Sequence, residues 1–402
     1  MSEENEQIDE QVEEAGGLSE APVGPEPTAD EEVAEPRIKP KRQWVTLRGS
    51  SIDAHVGDDL LSTVGRDLKS YVSKPRLAAL LVSPNAPSEA VESVFRSLTD
   101  TGFLVKKLNL PSGRAAASFA TVEELLEGFA RIGLSGDDVA CAIGDVWGLS
   151  AASFATHSWC GGVAFDEIPL DPVAAVIAGP TPAPLDVPGG EGLVTHRGSA
   201  RFVHAELDVI MADQGSDNEL LARALFATSA IADSDKAFER LWDRTPGIVS
   251  NDRSVVAEQV TDCLKSRGKI ISSTSIAVRQ SINYGITFSR ALRTLVGPEV
   301  PQSTLMAEAM RFAGRLSCAQ GAMTIDDMLT QDELLDRLEL GFVTCPVDAD
   351  KLASAIRAER FRHSNKFMLE LPRTLGRVRL AQVDEDMLRE HVGAWCDSRQ
   401  QG

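Results

Sequence analysis

The first 36 residues contain no lysine and no arginine, and no aromatic side chain occurs before Trp44. Those residues carry thirteen of the chain's 60 acidic groups, so of the formal charge of −20 only −7 falls on the remaining 366 residues. A stretch that acidic and that poor in apolar bulk cannot offset the entropy lost on ordering, which predicts a disordered tail over residues 1–43. It lacks a positive stretch followed by an apolar core, which excludes a signal peptide. No apolar run approaches the roughly 18 residues needed to cross a bilayer, so no membrane is expected. The acidic balance repels phosphates, and the basic patch Arg37–Arg42 is too short to reverse that, so no nucleic acid is expected either. The six cysteines, at 141, 160, 263, 318, 345 and 396, form no CxxC pair and no metal spacing. They read as free thiols of a reducing, cytoplasmic setting.

What is present is ordered in two halves. Leu77–Ser83, Phe103–Leu110, Asp138–Ile143, Val163–Ile168 and Val173–Ala178 read as buried strands. Ser88–Asp100 and Thr121–Ile132 have helical spacing, the second opening with a capping box Thr121-x-x-Glu124 and stopping at Gly133. Ahead of them, Trp44–Val56 reads as a paired extended segment and Asp59–Tyr71 as a helix. This alternation predicts an α/β fold over 44–205: a parallel-sheet, dinucleotide-binding-like domain. From about residue 206 the apolar period lengthens to three and four. Asn218–Arg240, Ser254–Lys265, Ser275–Leu295, Ser303–Gln320 and Ile325–Leu340 all carry it, which predicts an all-helical domain over 206–402. Within it, Lys366–Leu371 is a short apolar stretch set between two further helices.

The order of local signals resembles the 3-dehydroquinate synthase family over roughly residues 44 to 395. The pieces are Trp44–Leu61, Pro111-Ser-Gly113 with Thr121-Val-Glu-Glu124, Val163–Pro169, Pro188-Gly-Gly190, Ile231-Ala-Asp233, Arg279–Phe288, and Phe367–Leu371 with Pro372 and Gly376. Arg279-Gln-Ser-Ile-Asn283-Tyr-Gly285-Ile-Thr287 is close to the family's Asn-x-Gly-His-Thr motif. The resemblance implies NAD in the α/β half, a catalytic divalent metal in the helical half and a homodimer. It also implies conversion of a seven-carbon sugar-acid phosphate, DAHP, to 3-dehydroquinate by transient oxidation, phosphate elimination, reduction and ring closure.

The residues needed for that chemistry are missing at the matching positions. The metal carboxylate falls at Ala224, the two imidazoles at Ile286 and Met306, and a further catalytic histidine at Arg290. Residues 205–362 contain no histidine, so no shift of the alignment restores the set. No lysine occurs between Lys107 and Lys236, and the family's lysine positions read Ala117, Ala183, Glu191 and Ala227. The glycine-rich phosphate loop reads Gly144-Asp145-Val146, with a negative side chain where a pyrophosphate would approach.

Gly113 and Gly144 remain as weak cofactor positions, and Arg279, Asn283 and Arg360 as weak substrate positions. Without the metal, the favoured reading is that Arg279 pairs with a local carboxylate and Asn283 caps or bonds backbone. No histidine pair at i, i+4 offers a helical metal site. No catalytic residue, metal or cofactor is therefore expected. The chain reads as a non-catalytic or regulatory homologue with a protein partner, the alternative being a divergent 3-dehydroquinate synthase with a rearranged site.

Overall fold

The computed structural model describes residues 37–197 and 200–400. The acidic segment 1–36, on which the tail expectation rests, lies outside them. The described residues from Ile38 onward form one compact unit. Its strands in chain order are β1 (Lys41–Leu47), β2 (Ser50–Gly57), β3 (Leu77–Val82), β4 (Leu104–Asn109), β5 (Val139–Gly144), β6 (Ala164–Pro169), β7 (Ala183–Val187), β8 (Gly190–His196), β9 (Phe202–Glu206), β10 (Met368–Thr374) and β11 (Arg377–Gln382).

Seven of these build one sheet in the order β1-β2-β9-β6-β5-β3-β4. Only β1 runs antiparallel, against β2; the other pairings are parallel. The central strands are apolar runs because both their faces are covered. Every residue of Val139–Gly144 is buried. On one face Leu125, Phe129 and Ala152 share a core with Leu77 and Leu81; on the other, Leu68, Val94 and Leu98 share one with Leu80 and Ile143. The outer strand β4 turns Lys106 and Lys107 to its exposed rim, which blocks pairing with another sheet.

Local chemistry sets several boundaries differently from expectation. The helix Phe119–Ile132 starts two residues early because Ser118, not Thr121, is its cap: Ser118 Oγ accepts the Thr121 N–H. Val173–Ala178 is not a strand. Asp171 accepts the Ala174 N–H at 2.8 Å and Pro172 occupies the first turn, so the segment winds into the helix Pro172–Ile177. The paired segment begins at Lys41 rather than Trp44, and Arg42 holds Asp53 across the β1–β2 pair through two nitrogens, at 2.8 and 2.5 Å. The single helix expected over Asn218–Arg240 is two helices, Asp217–Asp233 and Asp235–Val249. Ser234 breaks the chain direction between them and caps the second.

After β9 the chain is helical, as the change of period predicts, apart from the β10–β11 hairpin. Its main helices enclose a core that includes Phe226, Leu241, Leu264, Phe288, Phe312 and Leu388. No helix among the described residues is long and apolar enough to cross a membrane.

Candidate functional site

The carboxyl ends of β5 and β6 deliver Gly144 and Asp145, then Asp171, to the start of two helices. The helix Val146–Ser158 would present unpaired N–H groups to an anion there. Instead, Asp145 Oδ1 accepts the N–H groups of Trp147 at 3.1 Å and Gly148 at 2.8 Å. The chain's own carboxylate sits where a dinucleotide phosphate would accept those bonds. The nearby Asp171 carboxyl is raised above its ordinary range by burial and by the Asp145 charge. Two acids at this edge do not fit a pyrophosphate. Replacing Asp145 by Ala is expected to cost about 1 kcal/mol through loss of the cap, measured by urea unfolding. An unchanged midpoint would show that the cap contributes nothing.

Gly113 opens a short turn, Gly113–Ala116, with φ +61°. The next residue, Arg114, is bound within the protein. It donates to Asp186 at 2.8 Å, pairs with Glu191 at 3.0 Å and lies over the Trp147 ring at 5.0 Å. Asp186 tends upward through burial, but the Arg114 guanidinium and the Gly192 N–H hold it below the usual carboxylate range. From the helical half Arg290 pairs with Glu359 at 3.3 Å, and Glu359 also meets Arg362 and His363 at 3.6 Å each. Arg290 reaches β8 as well, since a Cβ on Gly192 would lie 3.1 Å from its Nη2. Arg114, Arg290 and Arg362 are each paired with an internal carboxylate, the last two sharing Glu359.

The three weak substrate positions have separate surroundings. Arg279 Nη1 donates to the backbone carbonyls of Ser273 at 2.7 Å and Thr274 at 3.0 Å, so its partner is backbone and not the expected carboxylate. Asn283 is exposed in the turn Ser281–Asn283. Arg360 is buried against Glu370 at 3.2 Å. Burial pushes the Glu370 carboxyl up to about 7 against the pull of that guanidinium. At the metal positions implied by the resemblance, Ala224 and Met306 are core residues, and Ile286 packs against the same apolar cluster. A methyl, a branched alkyl chain and a thioether do not fit zinc there.

The fold also assembles groups that sequence spacing does not connect. On β9, His204 lies directly opposite His55 of β2, and Asp67 reaches them from the helix Val64–Tyr71. His204 is fully buried between Asp166 and Asp67. Burial alone would lower it, but the two carboxylates hold it up at about 9. Asp67, which burial would raise, is drawn down to about 2 by His204 and His55. The only sequence signal was alternation: Asp53-x-His55 and His204-x-Glu206 each place two polar groups on one face of a buried strand.

His196, on β8, touches Ser153 Oγ at 3.2 Å, and its Nδ1 has no partner among the described residues. Burial, with His157 nearby, lowers it to about 4. An unfolded chain protonates this ring near 6.5, whereas the folded one refuses the proton until about 4. Its contribution is therefore present above pH 6.5 and is lost as pH falls through that window. Each tenfold change in proton affinity corresponds to about 1.4 kcal/mol; with partial solvent access, a total on the order of 2 kcal/mol is expected. The stability of wild type relative to His196→Asn should therefore fall by about that amount between pH 7.5 and 4.5. A constant difference would rule the effect out.

No family model matches the chain. It is 24% identical over 324 residues to the 3-dehydroquinate synthase of Pelobacter propionicus, covering 79% of this chain and 89% of that one. It is 24% identical over 365 residues to that of a Synechococcus species, covering 87% and 97%. A crystal structure of 2-deoxy-scyllo-inosose synthase with carbaglucose-6-phosphate, NAD+ and Co2+ superposes with a TM-score of 0.75 at 15% identity, over 88% of this chain and 99% of that one. The 2-epi-5-epi-valiolone synthase of Streptomyces hygroscopicus subsp. jinggangensis, with NAD+ and Zn2+ bound, gives 0.72 at 14%, over 88% and 99%. The described chain thus has a 3-dehydroquinate synthase-like fold, and most of its length resembles synthases of that name.

Proposed function

We propose that this protein is a 3-dehydroquinate synthase-like homologue that does not run the synthase reaction and acts as a non-catalytic or regulatory protein. The observation that carries this reading is the Asp145 carboxylate bound to the Trp147 and Gly148 N–H groups. An anion cannot take those bonds without displacing a like charge. The apolar side chains at 224, 286 and 306 support it, since they supply no Lewis-acid site. So does the pairing of Arg114 and Arg290 with internal acids, with which a phosphate would have to compete. On this reading NAD and a catalytic metal are not used, and the retained framework serves a protein partner.

The reading is tested by following phosphate release and 3-dehydroquinate formation from DAHP with NAD and zinc supplied. An active 3-dehydroquinate synthase is the positive control. Turnover near that control's rate would overturn it. A genome carrying a second copy, with metal ligands and lysines intact, would strengthen it.

A further inference from the structure

Five side chains of the α/β half converge between the sheet and the helix Val64–Tyr71, away from the junction just described. His55 and His204 stand side by side because β2 and β9 are parallel and in register at that point. Their rings are edge to face, 4.9 Å apart. Asp67 Oδ2 faces both, 3.1 Å from His204 Nε2 and 3.7 Å from His55 Nδ1. One ligand atom from each of the three residues lies within 4.8 Å of the other two. Ligands 2.0–2.2 Å from a tetrahedral ion are separated by about 3.3–3.6 Å, and the two separations to Asp67 Oδ2 bracket that edge.

The outer nitrogens are also engaged. His204 Nδ1 meets Asp166 Oδ2 at 2.8 Å, and His55 Nε2 meets Asp53 Oδ1 at 3.1 Å. A carboxylate behind each imidazole fixes its tautomer and turns the other nitrogen inward, as it does for histidines that ligate metals. Asp166 and Asp53 are buried, so these backing bonds are shielded from water. His55 and Asp67 retain 14% and 16% exposure, which leaves a path for an ion and for one water. Thr63 Oγ1 donates to Asp67 Oδ2 at 3.1 Å, Arg66 lies 3.4 Å from the other oxygen, and Arg42 binds Asp53. Both arginines are on the exposed rim. Inside it, three carboxylates face two imidazoles.

We propose that His55 Nδ1, His204 Nε2 and Asp67 Oδ2 bind one divalent transition-metal ion of the zinc class. Asp53 and Asp166 are the positioning residues behind the two imidazoles, and water takes the fourth position. Two imidazoles and one carboxylate suit zinc or cobalt and not calcium or magnesium, which prefer oxygen.

The test uses full-length protein treated with a chelator and then titrated with Zn2+ or Co2+. Calorimetry is expected to give one ion per chain, and Co2+ to show the intense visible bands of a four-coordinate site. His55→Ala and Asp67→Asn should each weaken binding by about a hundredfold or more. Asp166→Asn should weaken it by about 10–100-fold, while the surface variant His157→Ala leaves it unchanged. Circular dichroism identifies variants that remain folded. Failure of the wild type to bind either ion, or full affinity in folded His55→Ala, would overturn the proposal and leave the cluster a hydrogen-bonded network.

Discussion

Given DAHP, NAD and zinc, the purified protein is expected to release no phosphate above the uncatalysed background, and to fail to rescue a strain lacking 3-dehydroquinate synthase. The expectation follows from what each step requires. Oxidation of an alcohol needs a Lewis acid on its oxygen and a nicotinamide beside it. The helical positions that would present the metal are Ala224, Ile286 and Met306. The dinucleotide's phosphates would meet Asp145, already bound to the N–H groups they need. Phosphate departure needs cations, and the corresponding positions are Ala117, Ala183, Glu191 and Ala227, two of these alanines buried in the core. Removal of one well-placed donor commonly costs a hundred- to a thousandfold in rate, on the order of 3–4 kcal/mol. Such losses do not simply add within one catalytic unit, but on the proposed reading the metal, the cofactor seat and most of the cations are replaced together. A zinc ion bound at His55, His204 and Asp67 would not restore turnover, because that cluster lies between the sheet and the helix Val64–Tyr71 and not on the helices of the implied catalytic site.

The largest stability effect is expected at Glu308. Its carboxylate is completely buried in the helix Gln302–Ala319 and accepts three bonds: Val343 N–H at 3.0 Å, Trp395 Nε1 at 2.9 Å and Arg399 Nη2 at 2.7 Å. One side chain thereby ties the loop after Gly341 and the C-terminal helix Glu385–Gln400 to the core. Glu308→Ala removes all three bonds and leaves the Arg399 charge without its partner. Breaking a buried pair in this way costs about 3–5 kcal/mol, which should lower Tm by roughly four to seven degrees in a folded body of this size. Glu308→Gln retains the shape and an acceptor oxygen and should lose less than half as much. A Glu308→Ala protein within about 1 kcal/mol of wild type would mean that water replaces the carboxylate at no cost.

The two-half organisation was legible because parallel strands covered on both faces are continuous apolar runs, whereas the following helices repeat every three to four residues. Boundaries set by single hydrogen bonds were less legible. Thr121-x-x-Glu124 has the composition of a capping box, but Ser118 precedes it and wins the cap. Val173–Ala178 has the composition of a strand, and Asp171 with Pro172 overrides it. At the junction, the missing lysines and histidines could be counted directly, and Asp145 stood out as a charge in a glycine-rich position. Its bonds to two helix N–H groups could not be read, nor could the backbone carbonyls that hold Arg279. Alternation marked polar residues on two buried strands, but the His55–Asp67–His204 cluster could not be assembled from it because it depends on the register of two strands far apart in the chain. Helical spacing, the usual guide to paired imidazoles, has no bearing on it.

The start of β1 fixes how far the chain can be shortened. Ile38 donates its N–H to Asp58 Oδ2 at 2.6 Å, and Arg42 holds Asp53. Lys41 reaches Glu258 on the helix Arg253–Ser272 at 2.8 Å. A polypeptide beginning at Ile38 keeps all three ties; one beginning at Trp44 loses them and strips partners from two buried aspartates of β2 and the turn after it. Because Asp53 also backs His55, trimming those six residues would loosen a histidine farther along the same strand. The usable N-terminal limit of the folded body is therefore set by electrostatics, six residues before the first aromatic side chain.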